Sequence, residues 1–207
     1  IGSPFDGLGY PSEHMDFAFQ NGNDALALTD HGNMNGFAYQ VQHAQKMISD
    51  GKDFKPIFGV EAYFLPSIDA WRKELEKTKE NRKAKKNIDK SQSGTTIEDE
   101  GTKREVKNIL NRRRHLILLA QNQTGLNNIF SLISKSYSKD NFYRFPRMDC
   151  KLLKEHNDGV IAASACLGGV YAGNYWENKE NGEDAVINAM RETTHEMLDI
   201  FGDRWYG

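Results

Sequence analysis

Short apolar runs alternate with longer amphipathic segments along most of this 207-residue chain. The apolar runs have the length of buried strands, and they cover residues 25–28, 55–64, 115–120 and 159–163. The segments between them have the apolar spacing of helices, at residues 11–22, 36–48, 124–136 and 182–201. Strands that alternate with helices predict an α/β protein built on a parallel sheet or a barrel.

One segment, residues 66–113, breaks the alternation. Residues 72–114 carry 15 of the 27 Lys and Arg residues but 8 of the 29 Asp and Glu residues, although the whole chain has a net charge of −2. The Ser, Gly and Thr residues at 91–96 predict a flexible tip between two charged helical stretches. We therefore expect a partly disordered insertion within one domain. Its interleaved acids, and its single aromatic residue, Trp71, favour a solvated arm over a nucleic-acid contact.

Composition narrows the class of protein. The sequence has no run of about 18 apolar residues and no secretory signal pattern at its start. Its two cysteines, Cys150 and Cys166, are expected to be free thiols in a reducing compartment, so we expect a cytoplasmic protein that does not enter a membrane. The chain begins without Met and ends on aromatic residues that suit an incoming strand, so we expect a fragment of a longer protein.

Ligand-type residues follow the predicted strands. Asp30 and His31 come directly after the first strand, Glu61 lies towards the end of the second, and Cys166 follows the fourth. In parallel α/β folds the carboxyl ends of the strands form the active site, so these side chains are expected at one rim. His115 is an exception, because it stands near the start of the third strand.

His, Asp, Glu and Cys are ligands of zinc, manganese and iron. A cluster of such ions would hold phosphate oxygens and activate a water, which is the chemistry of phosphoester hydrolysis. Each residue alone has a simpler explanation: a capped loop, a solvent-facing Glu or a small core Cys. Their joint placement at strand ends favours a functional site. Packing or surface roles are expected for the remaining candidates, His14, His43, Cys150, His156 and His195.

Several segments resemble a known family, the polymerase-and-histidinol-phosphatase (PHP) domain of DNA polymerase III alpha subunits. The resemblance begins with Phe5-Asp6-Gly7 and Thr29-Asp30-His31-Gly32-Asn33. It continues in order over residues 55–63, 115–120, 124–125, 146–149 and 164–169. Residues 66–113 do not match, and they resemble a lineage-specific insertion.

The resemblance implies a distorted seven-stranded (β/α) barrel, here partial, with a divalent metal cluster at one rim. The implied metal ligands are Asp6, His31, Glu61, His115 and Cys166. Three of them, Asp6, His31 and Glu61, would also be catalytic. Asp30 would hold His31 in orientation. The family's opening His-x-His would precede Ile1 and its closing Asp-x-His would follow Gly207, so residues 1–207 are expected to be a single domain incomplete at both ends.

The implied function is that of a replicative DNA-directed DNA polymerase, whose nucleotide-adding carboxylates lie outside this chain. The barrel itself would be a metal-dependent phosphoesterase, with 3′–5′ proofreading as the expected role. DNA, a sliding clamp and a proofreading subunit would be its partners through the longer chain. Two alternatives are a catalytically inactive module that stabilises the polymerase or docks a proofreading subunit, and a stand-alone phosphatase of the same superfamily.

Overall fold

The computed structural model describes residues 8–93 and 107–207, with the backbone alone for residues 82 and 84–93. Its helices are α1 (Pro11–Gln20), α2 (Phe37–Ser49), α3 (Ile68–Ser93), α4 (Gln123–Ser136), α5 (Cys150–Glu155), α6 (Val170–Asn178) and α7 (Glu183–Phe201). Its strands are β1 (Ala25–His31), β2 (Lys55–Phe64), β3 (Arg114–Ala120), β4 (Phe142–Tyr143), β5 (Phe145–Pro146), β6 (Val160–Ala163) and β7 (Trp205–Tyr206). Short 3₁₀ turns precede and follow α7, at Lys179–Asn181 and Gly202–Arg204.

Five strands form one open, mixed sheet in the order β1-β2-β3-β6-β7. Strand β1 runs parallel to β2, and β7 runs parallel to β6. Strand β3 runs antiparallel to both of its neighbours, β2 and β6. The expectation of an all-parallel sheet is therefore wrong at β3, because the chain reverses direction through the insertion and returns to the edge at which β2 ended.

The sheet buries one face under helices. Val60, Ala62, Leu116 and Leu118 are fully buried in the main core, where α4 contacts β2, β3 and β6. Successive side chains of a strand point to opposite faces. The residues between the buried ones, such as Ile117, are half-buried on the other face, and this second face carries the candidate site.

The root of the insertion is packed rather than solvated. A small core joins the first turns of α3 to the helical stretch at 107–111, and its buried members are Leu65, Ile68, Trp71, Leu75 and Ile109. The Trp71 indole Nε1 donates a hydrogen bond to the Ile109 carbonyl at 2.7 Å. The first predicted helical stretch is confirmed as α3, which continues to Ser93, so the prediction of a flexible tip is wrong at residues 91–93. Residues 94–106, which include the rest of the predicted tip, lie outside the described residues.

Both cysteines are free thiols, Cys150 buried and Cys166 exposed. Among the described helices, none is long and apolar enough to cross a membrane.

Candidate metal centre

The reversal of β3 assembles the site. His31 ends β1 and stands opposite Glu61 in the register of the β1–β2 pair. Two residues along β2, Tyr63 stands opposite His115 at the start of β3. Because β3 is antiparallel, its first residues meet the last residues of β1 and β2 at one edge. The strand direction thus accounts for His115, which the parallel pattern could not place.

The Glu61 carboxylate lies between two imidazoles. Its Oε1 is 2.6 Å from the His115 Nδ1, and its Oε2 is 3.6 Å from the His31 Nδ1. The two imidazole rings are 5.5 Å apart. One ligand atom from each of the three residues lies within 4.8 Å of the others, so a single ion could be shared by all three.

Cys166 adds a thiol from the loop after β6. Its Sγ lies 3.3 Å from the His115 Nδ1 and 3.9 Å from the Glu61 Oε1. The backbone N–H of Gly168 points at the same sulfur at 3.4 Å, and the Gly168 carbonyl accepts the His115 backbone N–H at 2.8 Å. A side chain at Gly168 would place its Cβ 3.0 Å from the His115 ring, so any larger residue here would be tightly packed against this imidazole.

The donor set fits a transition-metal centre. Zinc binds imidazole nitrogen at about 2.0–2.1 Å and thiolate sulfur at about 2.3 Å, so neighbouring ligands of one ion stand roughly 3.3–3.7 Å apart. The His115–Cys166 and His31–Glu61 separations, 3.3 and 3.6 Å, fall in this range. The His115–Glu61 separation is that of a hydrogen bond. The half-buried His31, Glu61 and His115 therefore have the composition of a metal site, with ligand atoms within 4.8 Å of one another.

The electrostatics of the site favour a neutral ligand at His115. Burial lowers the pKa of His115 below its usual value, and the neighbouring His31 and Arg113 act in the same direction, against the Glu61 carboxylate. A neutral imidazole has the lone pair that a metal ion needs. The pKa direction and the geometry thus agree.

Two predicted site residues need separate treatment. Asp6 lies outside the described residues. Asp30 accepts a hydrogen bond from the Gly36 backbone N–H at 2.7 Å, just before α2 begins. Because neighbouring residues of a strand point to opposite faces, this bond joins β1 to α2 on the face away from His31. The role of Asp30 in orienting His31 stays a prediction.

Sequence reasoning missed the aromatic and cationic side chains beside the ligands, Tyr63, Phe145 and Arg113. The Tyr63 ring stacks parallel to His31 at 6.2 Å and lies 5.6 Å from His115. The Arg113 guanidinium lies 5.1 Å from the Tyr63 ring and 3.8 Å from the Phe145 ring. The position of Tyr63, two residues after Glu61 in one strand, was a usable signal, because strand residues two apart share a face.

Comparison with known proteins adds a family and relatives. The sequence profile of the PHP domain matches residues 3–207. Proteins named DNA polymerase III subunit alpha are similar to the chain: that of Deinococcus radiodurans is 32% identical over 88% of this chain, that of Aquifex aeolicus 33% over 99%, and that of Treponema pallidum 36% over 72%. The chain spans 10%, 14% and 9% of the length of these relatives.

Proposed function

Since the chain belongs to the PHP domain family, we propose that it is the metal-binding domain of a replicative DNA-directed DNA polymerase of the polymerase III alpha type. We propose further that this domain hydrolyses phosphodiesters at the 3′ ends of DNA. The observation that carries the proposal is the convergence of His31, Glu61, His115 and Cys166, from three strands and a loop, at one rim. The names of the similar proteins support the polymerase context.

We propose that the open sheet is part of the distorted (β/α) barrel that the family resemblance implies. Residues 1–207 would form one domain, with 66–113 inserted between β2 and β3. The half-buried face of the sheet that carries the site would line the barrel interior. The longer protein would act on DNA in the cytoplasm, with a sliding clamp and a proofreading subunit as partners.

The ligands proposed for a metal cluster are His31, Glu61, His115 and Cys166, joined by Asp6 from the family resemblance. Bound zinc, manganese or iron would supply Lewis acidity and a water of lowered pKa. Which of these metals is bound does not alter the roles of the residues below.

The chain's own side chains set the conditions for hydrolysis. Glu61, with one oxygen towards each imidazole, can bridge two ligand positions and hold them together. The ring of Tyr63 packs beside both imidazoles and limits the access of bulk water from that side. Arg113, whose charge acts on His115, places a cation where a phosphate would approach.

The test uses the full-length protein that carries this chain, with His31→Ala and Glu61→Ala as variants. Bound metal per chain is measured by plasma mass spectrometry, and the metal-dependent release of 3′-terminal nucleotides is measured on labelled DNA. We expect both variants to lose metal and to lose nuclease activity by about 100-fold or more, since outer partners of metal ligands alone contribute about 10–100-fold.

A matched control is His195→Ala, which removes an exposed imidazole from α7 and should change neither quantity. Nuclease activity that survives both ligand substitutions would show that the hydrolysis occurs elsewhere in the protein. A full-length protein that holds no metal would instead support the inactive structural module.

A further inference from the structure

The β4–β5 hairpin stands beside the metal centre. Its Phe145 ring packs edge-on against Tyr63 at 5.5 Å, and Tyr63 in turn packs against both candidate histidine ligands. After the hairpin, Met148 exchanges backbone hydrogen bonds with the end of β2, receiving the Leu65 N–H at 3.0 Å and donating to the Tyr63 carbonyl at 2.9 Å. The hairpin is therefore fixed to the same rim as the ligands.

Hydrogen bonds from a buried arginine fix the backbone of the hairpin. The buried Arg147 donates from Nη1 to the Tyr143 carbonyl at 2.8 Å and to the Phe145 carbonyl at 3.1 Å. These bonds hold both strands of the hairpin in place. The backbone that carries the solvent-facing side chains is consequently preorganised, which lowers the entropic cost of binding a ligand.

The hairpin exposes aromatic rings and a cation. Phe142 and Tyr143 are 42% and 40% exposed, and Arg144 at the tip is exposed. The Arg144 guanidinium lies 5.9 Å from the Tyr143 ring. Tyr143 is the cross-strand partner of Phe145, and direct partners share one face of a hairpin, so Tyr143 lies on the side towards Tyr63. Arg144 has a φ of 59°, which is uncommon for a residue other than glycine.

A second cation lies between the hairpin and the ligands. The Arg113 guanidinium packs on Phe145 at 3.8 Å and lies 5.1 Å from the Tyr63 ring, which in turn packs beside His115. The nearby acid Asp140 lies 3.9 Å from Arg72, its ion-pair partner. The surface between the hairpin and the metal centre thus carries exposed rings, the exposed Arg144 and the half-buried Arg113, a combination that complements a polyanion with flat bases.

We propose that Tyr143, Arg144 and Arg113 bind single-stranded DNA and lead its 3′ end to the metal centre, an inference that rests on the proposed function. Tyr143 would stack on a base near the 3′ end, while Arg144 and Arg113 would contact the flanking phosphates. A single strand is required, because bases paired and stacked in a duplex do not present a free face to a side chain. Phe145 acts by positioning Arg113.

The test is photocrosslinking of the full-length protein to oligo(dT) that carries 5-iodouracil next to its 3′ end, in EDTA. Tryptic peptides are then mapped by mass spectrometry. We expect a crosslink in the peptide of residues 140–144, which contains Phe142 and Tyr143. Tyr143→Ala should lower the yield of this crosslink by about five-fold or more, the size expected for one lost stacking partner. Arg144→Gln should lower the yield as well, and it is read on the peptide of residues 140–147 because the substitution removes the tryptic site at 144.

The control Tyr175→Ala removes a comparably exposed ring, 46% accessible, from α6, and should leave the yield unchanged. Crosslinks that map only to other segments, or a yield that Tyr143→Ala does not lower, would overturn the proposal. A hairpin that receives a protein segment instead of DNA would give that same result. Because EDTA removes the metal, this readout is independent of nuclease activity, so its failure is distinguishable from failure of the proposed function.

Discussion

At the scale of single residues, Arg147 is the most constrained side chain of the described structure. It is fully buried, its guanidinium lies 4.5 Å from the Trp71 ring, and it donates to four carbonyls, those of Leu110, Arg112, Tyr143 and Phe145. Burial lowers its pKa to about 10. This value is still well above 7, so the side chain is charged at neutral pH. Arg147 thereby joins the root of the insertion to the β4–β5 hairpin.

Arg147→Met should destabilise both the root of the insertion and the β4–β5 hairpin. The substitution leaves buried carbonyls without donors, and hydrogen bonds from a charged group contribute about 1.5–3 kcal/mol each. We expect amide hydrogen exchange in residues 107–112 and 142–147 of the full-length protein to become about 100-fold faster, which corresponds to a local loss of roughly 3 kcal/mol. Arg191→Met, at an exposed position on α7, is the matched control. Equal exchange in the two variants would show that Arg147 does not hold these segments together.

Some site residues could be found from sequence and others could not. His31 and Glu61 were identifiable because His31 follows the first predicted strand and Glu61 lies towards the end of the second, and both lie at the predicted edge. Tyr63 was identifiable only through the strand face that it shares with Glu61, and Arg113 was not identifiable, since it stands within a run of charges. Their role follows from contacts between distant segments, Arg113 with Phe145 above all, and no local pattern reports such contacts.

At the scale of elements, the sequence located most helices and strands but not the direction of β3. The run 115–120 is apolar whichever way it is read, so it carries no information on strand polarity. A parallel connection needs about a dozen residues or more, and the long insertion would have allowed one. Helix α6 was also missed. Gly173 and the neighbouring aromatic residues weaken its intrinsic helix propensity, and tertiary contacts such as the bond from Asn174 to the Thr193 hydroxyl, at 2.7 Å, support it.

Gly173 holds α6 close to β3, and the buried Arg114 explains why. Arg114 donates to the Val170 carbonyl at 3.0 Å and pairs with Glu177 at 2.5 Å, so it contacts both ends of α6. A Cβ at Gly173 would overlap the Arg114 guanidinium. Gly173→Ala should therefore destabilise the protein by about 2 kcal/mol through overpacking.

The check is a double-mutant cycle with Arg114→Met, in which local stability around α6 is read by hydrogen exchange. Arg114→Met alone should also destabilise, because Glu177 loses its partner. The double variant should be less destabilised than the sum of the single variants, since the overlap is relieved once the guanidinium is absent. Strict additivity of the two effects would contradict the steric explanation.

At the scale of the whole molecule, one sheet separates a helix-covered core from the face that carries the candidate site. The insertion is anchored beside that face through Trp71 and Ile109, and Arg112 pairs with Glu74 across its root at 2.6 Å. Both ends of the arm are therefore part of the folded body, whereas the charge pattern alone predicted a solvated arm.

Two deletions in the full-length protein should distinguish the contribution of the arm from that of its root. Replacing residues 84–104 with a glycine–serine linker keeps the small core around Trp71, and it should leave metal content unchanged and local stability near β2 and β3 within about 0.5 kcal/mol. Replacing residues 68–110 also removes the ring under Arg147, so it should speed hydrogen exchange in the β4–β5 hairpin. A loss of metal in the shorter deletion would show that the arm itself supports the site.

The antiparallel direction of β3 affects how the connection between β2 and β3 can change in length during evolution. Because β2 ends and β3 begins at the same edge, the connection between them need not cross the sheet, and it can lengthen outward without disturbing any strand pairing. The closure entropy of such a loop rises only with the logarithm of its length. This edge is thus a place where lineages can gain or lose whole segments beside the candidate metal centre while the rest of the fold stays the same.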